Sequence, residues 1–200
     1  MDAYEWRERG LELDRAQKIR VGFAWEQYER QRSRGLIAAA LSPMKTAVDC
    51  DASAFVLGKN GDGTPALLGC ASCGELRVLG GSVVHRGDDR TGLGDGDDEQ
   101  IDVDLDRLPE EAERIVFTLD LFKEKRFRLG LGGLSSVYVR ITDRERGGEL
   151  CRFDLRGSVQ KAVSMCALQR SGNGWRVIET MADLDAGNRD ELAESLLAFF

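Results

Sequence analysis

Residues Ser82–Leu105, SVVHRGDDRTGLGDGDDEQIDVDL, decide how the chain is read. Both ends read as strands. In Gln100–Leu105, Ile101, Val103 and Leu105 alternate with Asp102 and Asp104, which predicts one buried face and one solvated face. His85 falls in the V-V-H run before the loop and reads as an ordinary strand residue. Between them, Gly87–Glu99 holds six acidic residues, Asp88, Asp89, Asp95, Asp97, Asp98 and Glu99, with glycines at 87, 92, 94 and 96 and a single base, Arg90. Carboxylates this crowded repel one another unless a cation sits among them. Hard divalent cations take several oxygen ligands, and glycines let a chain bend tightly enough to aim them inward. A solvated acidic loop is the alternative. The strands that fix both ends favour the cation.

Known loops fit poorly. Asp88 to Glu99 has the length of an EF-hand loop, but Arg90 and Leu93 stand where it needs an oxygen ligand and a glycine. GLGDG brushes against the calcium repeat of β-helices in one copy only, where such folds need several. A dinucleotide loop would present amides to pyrophosphate, not carboxylates.

Outward from this loop the strand signal continues. Lys18–Trp25 alternates Ile19, Val21, Phe23 and Trp25 against Lys18, Arg20, Gly22 and Ala24. Asp49–Leu57 becomes a strand, with Asp49 and Asp51 two apart on one face at its entrance. That pair is a second wall for the cation or a turn that caps the strand; spacing alone leaves both open. Short strands follow at 66–70, 76–79, 114–122, 135–142, 150–155, 162–169 and 175–181, separated by turns such as Asn60-Gly61 and Asp62-Gly63. Pro109 opens a helical turn at LPEEAE. Residues 26–35 read as a polar loop or short helix, and residues 1–17 as a frayed start or edge strand. From Asn188 to Phe200, Leu192, Leu196, Leu197 and Phe200 recur at helical spacing behind a capping Asn188. The fold class is all-β, a sandwich of two sheets built from about ten short strands with a C-terminal amphipathic helix. No linker or repeat divides residues 1–200, which read as a single domain.

Composition narrows the function. A net charge of −7 opposes nucleic-acid binding. No apolar run approaches the ~20 residues of a membrane span, and the charged N-terminus is no signal peptide, so a bacterial-type cytoplasm is expected. Five cysteines at 50, 70, 73, 151 and 166 argue against a disulfide framework. Cys70 and Cys73 form one CxxC without the second pair or histidines a zinc site needs.

The ordered segments VGFAW, VDCDASAFVLG, GSVVHRGDDRTGLGDGDDEQIDVDL, LSSVYVRI and ELCRFDL resemble the TerD family of bacterial tellurium-resistance and stress proteins over roughly residues 18–181. The resemblance implies a calcium-binding β-sandwich. It implies ligands at Asp49, Asp51 and Ser53 in one segment, and at Gly87, Asp88, Asp89, Thr91, Gly92, Asp97, Asp98 and Glu99 in the other. With up to eight carboxylates in the two segments, ligand supply points to two adjacent calcium ions. The expected function is a non-enzymatic, calcium-dependent interaction with partners, including other stress-response proteins of the family. Two other classes stay open. One is a metal-dependent hydrolase using the acidic cluster; the other is a thiol site at Cys70 and Cys73 acting on redox partners or chalcogen anions.

Overall fold

The computed structural model describes residues 10–13, 17–27, 48–87, 96–123 and 130–198. In chain order its strands are β1 (Leu11–Glu12), β2 (Lys18–Gln27), β3 (Asp51–Lys59), β4 (Pro65–Ala71), β5 (Arg77–Val78), β6 (Val83–His85), β7 (Glu99–Asp104), β8 (Ala112–Asp120), β9 (Leu134–Asp143), β10 (Glu149–Asp154), β11 (Ala162–Ser171) and β12 (Gly174–Leu184). They form two six-stranded antiparallel sheets, ordered β1-β12-β11-β8-β3-β4 and β10-β9-β2-β7-β6-β5. The expected sandwich is present, with twelve strands where the sequence suggested about ten. The shortest, β1 and β5, have two residues each, too few for an alternation to register.

The inner faces meet in one apolar core. Ile19, Val21, Phe23 and Trp25 from β2 and Ile101 and Val103 from β7 face Ala54 and Val56 from β3 and Ile115, Phe117 and Leu119 from β8. That is the period-two pattern read from the sequence, now with its partner sheet. A second cluster lies on the opposite face of the first sheet, where Phe55, Leu57, Val116 and Leu184 are covered by Leu192 and Leu196 of helix α1 (Arg189–Ala198). β3 is therefore buried on both faces from Asp51 to Gly58. The expected helical turn at Pro109 is a single turn closed by the Ala112 N–H on the Pro109 carbonyl at 3.0 Å. The next residues pair into β8 before a helix can propagate, and the 3-10 turn falls earlier, at Leu105–Arg107.

Asn188 caps α1 as its position implied. Its Oδ1 accepts the N–H groups of Asp190 and Glu191 at 3.0 Å each, and Glu191 reaches back to the Gly187 N–H at 2.7 Å. Asn188→Ala should cost about 1 kcal/mol, read as a lower denaturant midpoint at unchanged slope. An unchanged midpoint would mean the cap contributes nothing.

Candidate metal centre

The two acidic segments meet. Glu99 opens β7 in one sheet, and its Oε2 accepts the Ala52 backbone N–H of β3 in the other at 2.7 Å. His85, on neighbouring β6, lies with its Nε2 3.3 Å from the same oxygen. The Gly87 N–H donates to His85 Nδ1 at 3.2 Å, which leaves Nε2–H as the donor toward Glu99. A buried relay therefore runs from the first residue of the acidic loop, through His85 and Glu99, to the strand that carries Asp51. Gly87 has φ +127, a conformation that favours glycine. Glu99 is 1% exposed and its Oε1 has no hydrogen-bond partner. Burial raises its carboxyl above the ordinary range, although His85 and the Ala52 N–H pull it down.

Asp51 is buried at the start of β3, and its Oδ1 accepts from Lys123 Nζ at 2.6 Å and from Cys73 Sγ at 3.0 Å. Asp120 of β8 is its cross-strand partner, fully buried, with Oδ2 unpartnered. Burial, reinforced by the charge of Asp51, pushes Asp120 up to about 7 against the Phe122 N–H, Arg189 and Lys123. Burial lowers Lys123, but the hydrogen bond and charge of Asp51 outweigh it and leave the ammonium raised. Burial and then the charges of Asp120, Glu99, Asp49 and Asp51 hold the Cys50 thiol well up.

The other expected ligands divide. Ser53 is fully buried, its hydroxyl without a partner. Asp98 Oδ2 accepts the Trp25 N–H at 2.8 Å, and Asp97 Oδ1 accepts Arg140 Nε at 2.7 Å. Asp97 packs against Gly22, where any Cβ would collide with its carboxylate. Asp49, half-buried, precedes β3 and is not part of it. Asp88, Asp89, Thr91 and Gly92 lie outside the described residues. Among the described residues no three Asp, Glu, His or Cys side chains group as a metal would hold them.

Asp102 departs from its reading as a solvated face residue. It does point away from the core, but it is 5% exposed and carries an ion pair with Arg20 at 2.7 Å. Sequence reasoning also missed His85, Asp120 and Lys123. Asp120 left a signal, a carboxylate inside the otherwise apolar run RIVFTLDLF. All five cysteines are free. Burial pushes Cys70 up to about 12 and raises Cys73 as well, which opposes the thiolate a redox site needs.

The donor set suits a hard cation. The buried oxygens of Glu99 and Ser53 lack partners, and at Asp51 the Lys123 ammonium supplies the positive charge a metal would bring.

Residues 10–194 match the family model of the TerD domain. The chain is 34% identical over 132 residues to the tellurium resistance protein TerD of Serratia marcescens, covering 64% of this chain and 67% of that protein. It is 29% identical over 183 residues to stress response protein SCP2 of Bacillus subtilis (strain 168), covering 90% and 88%. A solved Streptomyces coelicolor A3(2) homologue of telluride resistance protein TerD superposes with a TM-score of 0.63 at 19% identity, covering 86% of this chain and 92% of that one.

Proposed function

The chain belongs to the TerD domain family, whose named members include tellurium resistance and stress response proteins, and from that premise we propose that it is a non-enzymatic, cytoplasmic calcium-binding protein. It acts by calcium-dependent contact with partner proteins of the stress response. The observation that carries this reading is the bond between Ala52 N–H and Glu99 Oε2, which joins the two acidic segments and leaves Glu99 Oε1 buried without a partner. Glu99, Asp49, Asp51 and Ser53 would hold the metal together with Gly87, Asp88, Asp89, Thr91, Gly92, Asp97 and Asp98. Bound there, calcium would neutralise carboxylates that otherwise repel. A cation at Asp51 would compete with Lys123 and Cys73 for its carboxylate, so binding would shift the position of both side chains. That is a change a partner could read. Among the described residues no helix is long and apolar enough to cross a membrane.

Calorimetric titration of chelator-stripped protein tests the reading. Calcium should bind at about 10⁻⁷ to 10⁻⁵ M and magnesium more weakly, because flexible oxygen ligands suit the larger ion. At a hundredfold excess over the dissociation constant the folded state should gain roughly 2.7 kcal/mol per site, seen as a higher melting temperature in calcium than in sodium at matched ionic strength. No heat with either ion at millimolar concentration would sink the proposal.

A further inference from the structure

On the outward face of the second sheet most described ion pairs set one or two carboxylates against a base. Lys18 meets Glu145 at 2.9 Å, Arg140 meets Asp97 at 2.7 Å and Arg152 meets Asp154 at 2.8 Å. At Asp102 three arginines share one carboxylate. Arg20 grips it with two bonds, Nε to Oδ1 at 2.7 Å and Nη2 to Oδ2 at 3.1 Å. Arg144 Nη2 lies 3.4 Å and Arg86 Nε 3.7 Å from Oδ2. Among the described residues, three guanidinium groups thus converge on one carboxylate.

The backbone holds these groups in place. Arg20 and Asp102 are cross-strand partners on adjacent strands β2 and β7, both flanked by other strands. The Arg86 N–H bonds the Gln100 carbonyl at 2.8 Å, and the Arg144 N–H bonds the Lys18 carbonyl at 2.9 Å. Asp102 is sunk beneath the guanidinium groups at 6% side-chain exposure, whereas Arg20, Arg86 and Arg144 reach water at 30%, 54% and 37%. A guanidinium has five N–H donors in a planar fork. Among the described residues the side chains of Arg86 and Arg144 make no hydrogen bond, so most of their donors are unspent. Asp104, next along the same face, stands opposite Lys18.

We infer that Arg20, Arg86 and Arg144, organised by Asp102, form a binding site for a small oxyanion of the phosphate type. The converging forks, with donors to spare, match the several oxygens of such an ion. A net charge of −7 opposes a polyanion.

The test is a titration of the full chain with inorganic phosphate at low chloride, in chelator so that calcium takes no part, followed by amide chemical shifts. Saturable shifts should centre on residues 20, 86, 102 and 144. Arg86→Gln and Arg144→Gln should each weaken binding about tenfold, as expected for one charge-assisted hydrogen bond. Arg152→Gln should leave it unchanged. Phenyl phosphate distinguishes the source, since equal binding means that an ester is admitted and its exclusion means that the free ion is the ligand. Shifts that grow linearly without saturating, or an equal loss in Arg152→Gln and Arg86→Gln, would overturn the site. Arg86 is exposed and melting curves of both variants report folding separately.

Discussion

Glu99→Ala will destabilise the calcium-free protein by about 3 kcal/mol, because the buried Ala52 N–H and His85 Nε2–H each lose their acceptor. The lost contact joins the two sheets, so the effect should appear as a lower denaturant midpoint at unchanged slope. Glu99→Gln keeps an acceptor oxygen of the same reach and should stay within about 1 kcal/mol of wild type without calcium. It removes the charge, however, and should lose most of the stabilisation calcium gives. The pair separates two roles in one residue. Wild-type melting of Glu99→Ala in chelator would show that the cross-sheet bond is idle. A full calcium shift in Glu99→Gln would take Glu99 out of the ligand set.

Asp120→Asn, by contrast, will stabilise the protein, and only above mildly acidic pH. The folded chain keeps the Asp120 carboxyl protonated to about 7, while the unfolded chain releases that proton near 3.8. Between these values the folded state binds more protons, so wild-type stability falls as pH rises through the window. Asparagine resembles the neutral acid and carries no such cost. The difference between variant and wild type should be near zero at pH 4 and approach an upper limit of roughly 4 kcal/mol above pH 7. Urea melts across that range, in chelator, provide the measurement. A constant difference from pH 4 to pH 8 would remove burial of the Asp120 charge as the cause.

The contrast between Asp102 and Ile101 shows what the sequence could carry. Alternation in β2 and β7 reports which side chains face the core, because one face is apolar and the other is not. It says nothing of what lies beside an outward residue. Asp102 is buried by Arg20, Arg86 and Arg144, neighbours supplied by strand order and by turns far along the chain. β3 illustrates a second loss. Asp51 and Ser53 occupy the same face as Phe55 and Leu57, and the side chains of α1 that bury the latter pair come more than a hundred residues later. The meeting of Asp49–Asp51 with the acidic loop was suggested by family resemblance, whereas spacing left a capping turn equally open. Lys123 was illegible for a plainer reason: in a run of basic residues nothing marks the one that will reach a buried carboxylate.

The pairing of β1 with β12 has a consequence in time. Leu11 lies opposite Val177, a separation of 166 positions (177 − 11), so this contact closes nearly the whole of the described chain. Loop closure over such a span comes at a large entropic cost, and contacts of this kind slow folding. During synthesis the segment that will become β1 leaves the ribosome long before its partner exists. Until β12 is seated, the first sheet ends at β11, with a row of backbone donors and acceptors open to any neighbouring chain. The interval before that strand docks is when self-association threatens most, and whatever shields the β11 edge in those moments governs how much of the newly made protein reaches its native state.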